Sequence, residues 1–123
     1  CAHVILGLPG ESRDQMMDTA RFLAGLGVEA VKLHLLYVIQ GTRLQAMHQA
    51  GDYRCLARDE YVRLVGDFLS LLPPEMIIQR LTGDPHPEEL VAPEWALEKQ
   101  TNLQAIHASM ARRGLWQGKY FNS

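Results

Sequence analysis

Three short segments place turn-forming or polar residues within or directly after an apolar stretch. In the first, Gly7-Leu8-Pro9-Gly10-Glu11, the glycines allow a tight turn and a close approach of the backbone to a ligand. A helix that begins just after it would add N–H donors and a partial positive charge. The segment lacks the Lys-Ser/Thr pair of a phosphate-binding P-loop and the third glycine of a dinucleotide fingerprint. It therefore predicts either a ligand-binding turn or a tight turn made for packing.

The second segment places Lys32 and His34 two residues apart within an apolar run. In a strand, that spacing puts both side chains on one face. If this face lined the interior of a barrel, both side chains would point toward a site. The alternative is that Lys32 lies near the start of the strand and extends to solvent, while His34 is a hydrogen-bonded core histidine.

The third segment, Gln79-Arg80-Leu81-Thr82-Gly83-Asp84, is polar where a strand should be apolar. Arg80 offers a bidentate fork for a carboxylate or phosphate, but an ion pair between Arg80 and Asp84 explains the pattern almost as well. The histidines show no metal-binding spacing such as HExxH, and Cys55 has no visible base beside it. The sequence therefore predicts no metal ligand in this chain.

The elements that must position these segments alternate between strand and helix patterns. Apolar runs ended by turn residues predict strands at 3–8, 30–37 and 76–81. A capping box between Ser12 and Gln15 predicts the start of a first helix, and further helices are predicted after Gly41-Thr42 and at 95–113, followed by a short polar tail. The clearest helix ends at Pro73-Pro74 and carries its apolar residues at helical spacing: Tyr61, Leu64, Val65, Phe68, Leu69 and Leu72.

This order of elements is typical of a parallel α/β structure, either part of a β/α barrel or a doubly wound sheet. In both architectures the ligand lies at the carboxyl ends of the strands. The residues to weigh are therefore those at 7–11, 37–43 and 80–84.

Composition limits the classes of function. Twelve Lys and Arg against 14 Asp and Glu give a formal charge of −2, which offers no overall electrostatic reason to bind nucleic acid or an anionic membrane. The two cysteines are too few for a disulfide framework or an all-cysteine cluster, and we expect a cytoplasmic protein. No apolar run approaches the roughly 20 residues of a membrane span. Because the chain opens at Cys1 directly into a strand, we expect a fragment whose bare sheet edge favours a homo-oligomer.

Several motifs recur here in the order found in a known family, and they cover nearly the whole chain. The sequence resembles the back half of radical S-adenosylmethionine (SAM) enzymes, in particular the YhcC-like subfamily, with single elements shared with the Elongator catalytic-subunit group and the oxygen-independent coproporphyrinogen oxidases. The motifs are Gly7-Leu8-Pro9-Gly10-Glu11, Lys32-Leu33-His34-Leu35-Leu36, Gly41-Thr42-Arg43-Leu44, Gly51-Asp52-Tyr53, Glu60-Tyr61, Leu72-Pro73-Pro74, Gln79-Arg80-Leu81-Thr82-Gly83-Asp84, Ala92-Pro93-Glu94-Trp95, Lys99 and Trp116-Gln117-Gly118-Lys119.

The resemblance implies a parent protein built as a partial (β/α) barrel, with residues 1–91 its C-terminal β/α units and 92–123 a C-terminal helix and tail. It implies SAM and a [4Fe–4S] cluster in the parent, held by a CxxxCxxC motif that is absent here. The chain alone is then expected to bind no cofactor and to be inactive. The expected partners are the N-terminal half of the same protein, SAM and an unknown substrate.

The resemblance also assigns candidate site residues by position. The SAM-side candidates are Leu6, Gly7, Leu8, Gly10 and Glu11. The substrate-side candidates are Lys32, His34, Gln79, Arg80 and Asp84. No catalytic residue is assigned. Two other functions stay open: an RNA-modifying module, against which the near-neutral charge argues, and a non-catalytic packing domain.

Overall fold

The computed structural model describes residues 1–83 and 85–121, and its elements alternate as the sequence predicts. They are β1 (Ala2–Leu6), α1 (Arg13–Leu26), β2 (Ala30–Leu35), β3 (Val38–Ile39), α2 (Arg43–Gln49), α3 (Arg58–Ser70), β4 (Ile77–Arg80), β5 (Leu90–Ala92), a 3-10 turn (Glu94–Leu97) and α4 (Lys99–Arg112). The α/β class is confirmed. Asp84, a substrate-side candidate, lies outside the described residues.

The main sheet is parallel, with strand order β1-β2-β4, so β2 is its central strand. Its register pairs His3 with Lys32 and Ile5 with His34, and then Val31 with Ile78 and Lys32 with Arg80. The sheet is open and does not close into a barrel. All three strands run in one direction, so their carboxyl ends meet at one edge.

One face of this sheet is covered by helices. Val4, Leu6, Val31, Leu33 and Leu35 share one core cluster with apolar residues of α1 and α3. Each helix is apolar on one side because its buried residues recur at helical spacing. In α1 these are Met16, Met17, Ala20 and Leu23, and in α3 they include Tyr61, Leu64, Val65, Phe68 and Leu69. Helix α4 packs on α3 and adds Ile106 to the same core.

The predicted first cap of α1 is confirmed. The Ser12 hydroxyl accepts from the Gln15 backbone N–H at 3.1 Å, and the Gln15 side chain accepts from the Ser12 N–H at 2.8 Å. The final helix, predicted as continuous over 95–113, is broken at Glu98, where φ and ψ are −95° and 65°. The prediction was wrong there because a local helical pattern does not contain the contact between Trp95 of the 3-10 turn and Tyr61 of α3, whose ring centroids are 5.8 Å apart.

Two features of the structure were absent from the sequence-based prediction. A short antiparallel ladder joins β3 to β5, two segments far apart in the chain. The tail, predicted only as short and polar, is held against the end of α3: Gly118 N–H donates to the Leu69 carbonyl, and Tyr120 N–H donates to that of Ser70. The Gln117 side-chain amide donates to the carbonyls of Pro73 and Met76, each at 2.8 Å. Both features depend on contacts that no local pattern encodes.

Candidate functional site

The face of the sheet opposite the helices carries polar side chains. Its central row crosses all three strands, from His3 on β1 through Lys32 on β2 to Arg80 on β4, because these residues are register partners. His34 lies two residues beyond Lys32 on the same face. His3 and Arg80 are exposed, whereas Lys32 and His34 are half-buried. We call His3, Lys32, His34 and Arg80 the basic row.

A β-bulge brings a further polar group to this face. Between Val31 and Lys32 the register with β4 shifts, so that Gln79 is the extra residue between the partners Ile78 and Arg80. Its side-chain oxygen accepts from the thiol of Cys1 at 3.3 Å, across the central strand. Bulges redirect side chains in this way and occur next to active sites.

The two histidines of the basic row stack on each other. Their ring centroids are 5.6 Å apart and their planes differ by 7°. The pKa of His34 is lowered from its ordinary value, first by burial and then by the charges of Arg80, His3 and Lys32. At neutral pH, His34 is therefore a neutral imidazole, which offers one N–H donor and one acceptor.

A groove of about 330 Å³ begins at the histidine pair and runs toward the carboxyl end of β2. Its floor is formed by His3, Ile5 and His34, and Leu36, Tyr37 and Ile39 continue it beyond the strand. Its size falls in the range of small-molecule sites, which are mostly apolar with a few polar groups. The open face thus combines basic and neutral polar groups with an apolar groove.

Three tyrosines hold the turns at the carboxyl edge of the sheet. Tyr53 donates its hydroxyl to the Gly7 carbonyl at 2.8 Å, and burial together with Cys55 raises the pKa of Tyr53 to about 12. Tyr61 donates to the Leu81 carbonyl at 2.6 Å. Tyr37 packs against Gly83, where a Cβ atom would come within 2.5 Å of its hydroxyl oxygen. These contacts set the positions of the loops that follow β1 and β4.

The five SAM-side candidates are in two different environments. The Leu6 side chain is fully buried on the helix side, and a Cβ atom at Gly7 would lie 3.0 Å from Leu56. Gly7 is therefore needed for internal packing at a φ of +93°, and any contact with SAM at these two positions would involve backbone atoms. Leu8 is 41% exposed, Gly10 faces open space, and Glu11 is half-buried. Their role in SAM binding stays a prediction.

Unlike the SAM-side candidates, the substrate-side candidates that the structure describes share one face of the sheet. The structure brings Lys32, His34, Gln79 and Arg80 to the open face. Sequence reasoning missed His3, which stacks on His34, because the first strand was treated as uniformly apolar. The alternation of His3 and Ile5 with buried Val4 and Leu6 was the available signal.

The described residues do not fit an iron–sulfur cluster. Three cysteine thiolates are needed, whereas this chain has two cysteines, Cys1 exposed and Cys55 half-buried, and burial raises the pKa of the Cys55 thiol. Over residues 1–83 and 85–121, no group of three or more His, Cys, Asp or Glu side chains is arranged to hold a metal ion. Nor does any helix within the same ranges have the length and apolarity needed to span a membrane.

Comparison with known proteins assigns the family. The model of the Radical_SAM C-terminal domain matches residues 28–112, which include β2, the groove residues beyond it, β4 and the whole of α4. The chain belongs to the Radical_SAM C-terminal domain family. The match begins after β1, so His3 and the turn at 7–11 lie outside it.

Longer proteins contain a similar segment. The chain is 44% identical over 121 residues to the uncharacterized protein YtqA of Bacillus subtilis, and 46% identical over 122 residues to the uncharacterized protein MJ0486 of Methanocaldococcus jannaschii. It is 27% identical to the protein YhcC of Escherichia coli over 115 residues. Each of the first two alignments covers 98% of this chain but only 38% of the length of the relative.

A solved structure shares the fold of this Radical_SAM C-terminal domain. The archaeal Elp3 of Methanocaldococcus infernus, with an N-terminal deletion, superposes with a TM-score of 0.75 at 20% identity. The superposition covers 94% of this chain and 28% of that protein. The parallel α/β arrangement therefore occurs as one part of a larger structure, and at this identity the likeness concerns the fold alone.

Proposed function

We propose that this chain forms the C-terminal β/α units of a radical SAM enzyme, in which the open face of the sheet lines the reaction chamber. The observation that carries the proposal is the basic row, which places His3, Lys32, His34 and Arg80 on a face that no described helix covers. Parallel sheets are normally covered on both faces. A polar, groove-bearing face is what such a sheet presents to a ligand.

In this proposal the chain's two groups of candidates have separate tasks. Leu8, Gly10 and Glu11 are the accessible part of the turn after β1 and would contact SAM, since that turn lies at the carboxyl edge. Lys32, His34, Gln79 and Arg80 would bind and orient the substrate. When bound in the whole protein, SAM and the cluster would supply the radical chemistry by which hydrogen is removed from a substrate. The cysteines for that cluster would come from the N-terminal half, because two cannot supply it.

The N-terminal half is the partner we propose for the free edge of β1. Within the described residues β1 pairs only with β2, and its outer edge borders a cavity of about 170 Å³ lined in part by Leu8, Glu11 and Thr19. A further parallel strand placed there would extend the sheet and cover that cavity. In its absence, we expect the chain to form dimers or larger species, which light scattering at micromolar concentration measures.

The experiment that tests the function uses the full-length protein that contains this chain. After anaerobic cluster reconstitution and reduction, we expect 5′-deoxyadenosine from the full-length protein and none from the 123-residue chain. A full-length protein that carries a verified cluster but neither forms this product nor binds SAM would contradict the proposal.

Substitutions separate a catalytic role from mere packing. In the full-length protein, Glu11→Gln is expected to weaken SAM binding, measured calorimetrically. The matched control is Glu75→Gln, an exposed carboxylate in the turn before β4, at the opposite edge of the sheet. Equal effects of the two variants, or no effect of either, would remove Glu11 from the SAM site.

A further inference from the structure

Among the residues that the structure describes, the basic row is rich in positive charge and poor in acidic partners. The three strands of the main sheet contain Lys32, Arg80 and two histidines but neither Asp nor Glu. Elsewhere, five arginines of the described chain lie within 4.0 Å of a carboxylate: Arg13, Arg21, Arg54, Arg58 and Arg113. No such pair among the described residues includes Lys32 or Arg80.

The arrangement of the row concentrates this charge. Lys32 and Arg80 are register partners on neighbouring strands, whose backbones are about 4.8 Å apart. His34 follows Lys32 on the same face, close enough to both cations for each to lower its pKa. Two like charges held this close, with a half-buried imidazole beside them, create a positive potential that favours the binding of an anion.

The groove next to the row limits what this anion is attached to. Beyond the histidine pair, its lining is apolar or aromatic: Ile5, Leu35, Leu36, Tyr37 and Ile39. At about 330 Å³ it accommodates a small apolar or aromatic body but not a polymer lying along the face.

We propose that the substrate carries an oxyanion, a carboxylate or a phosphate, which Arg80 and Lys32 bind while its apolar body occupies the groove. Arg80 supplies a planar fork that matches two oxygens, Lys32 supplies a point charge, and neutral His34 donates one N–H. The assignment of this oxyanion to the substrate rests on the proposed function. The carboxylate of SAM is the other source of the same chemistry.

The test is an NMR titration of the 123-residue chain with labelled histidines, using inorganic pyrophosphate and, in a separate arm, phenylacetate, both at constant ionic strength. We expect the His34 ring signals to move saturably in both arms, with the His34 pKa rising as the anion balances Arg80, Lys32 and His3. Arg80→Gln is expected to weaken binding at least tenfold. Arg112→Gln, an exposed arginine on α4, is the matched control and is expected to change nothing.

Each other outcome overturns the proposal. Shifts that are linear in concentration, or equal losses in the Arg80 and Arg112 variants, would mean only general screening of charge. Saturable binding of SAM that Arg80→Gln weakens, without saturable binding of either pyrophosphate or phenylacetate, would assign the oxyanion to SAM and not to a substrate. Lys32→Gln is a second test variant, because a folding defect in Arg80→Gln would also weaken binding. Each variant must give the NMR spectrum of a folded protein. None of these readouts needs radical chemistry, so a failure here is distinct from a failure to form 5′-deoxyadenosine.

Discussion

The two faces of the three-stranded sheet are made by alternate residues of the same strands, yet they have opposite environments. On β2, Val31, Leu33 and Leu35 are at most 3% exposed, whereas Lys32 and His34 between them are half-buried and polar. The covered face is held together by burial of apolar surface, which is the main favourable term in folding. The open face contributes little burial, and its side chains are therefore available for a ligand.

The largest expected effect is the difference in stability between substitutions at two neighbouring residues, one on each face of the sheet. Leu33→Ala, at a fully buried position, is expected to lower the free energy of unfolding by about 2–5 kcal/mol, because it removes packed methyl groups and leaves a cavity. Lys32→Ala, one residue earlier, is expected to change it by no more than about 0.5 kcal/mol. Urea unfolding followed by circular dichroism measures both. Similar losses would mean that the open face is buried in solution.

A smaller loss of stability is expected for a buried tyrosine of α3 that holds the loop after β4, at the edge of the candidate site. Tyr61→Phe leaves the Leu81 carbonyl without its 2.6 Å hydrogen bond, at a side chain that is fully buried. We expect a loss of about 1–3 kcal/mol in the same unfolding experiment. Tyr120→Phe, at a residue 56% exposed, is the control and should be neutral. A neutral Tyr61→Phe would show that the loop after β4 does not depend on this tyrosine.

The ion pair between α1 and α3 should contribute less. Arg13 donates to Asp67 at 3.0 Å, and its side chain is 58% exposed. Arg13→Ala is expected to cost about 0.2–1 kcal/mol, and the loss should shrink in high salt because exposed charges are screened. A salt-independent loss would indicate that packing of the arginine stem, and not its charge, is what the substitution removes.

The smallest effect concerns pH and belongs to the open face. Because the folded-state pKa of His34 is lowered, the unfolded chain binds more protons between that pKa and the ordinary value of 6.5. Stability should therefore fall as the pH decreases through this window, and His34→Gln should reduce the slope. His107→Gln, an exposed histidine on α4, is the control. An unchanged slope in His34→Gln would contradict the lowered pKa of His34, which burial and then the neighbouring positive charges cause.

Sequence reasoning succeeded where the determining contacts are local. The Ser12–Gln15 capping box and the apolar stripe of α3 each lie within a few residues of their partners, and both are present. It failed for the β3–β5 ladder and the docked tail, which pair distant segments. For the site, it selected Lys32, His34, Gln79 and Arg80 but not His3, because the first strand was treated as uniformly apolar and its alternation was not used.

The sequence by itself determined the kinds of element, their order, and a family resemblance that the comparisons confirm. Period-two and helical spacings, caps and turn glycines act over a few residues, and so they can be read from one segment at a time. The tertiary structure alone decided that His3, Lys32 and Arg80 form one row, that Gly7 is closed off by Leu56 and Tyr53, and that Tyr37 packs on Gly83. Strand register and loop contacts follow from hydrogen bonds and packing between distant segments, which no local pattern specifies.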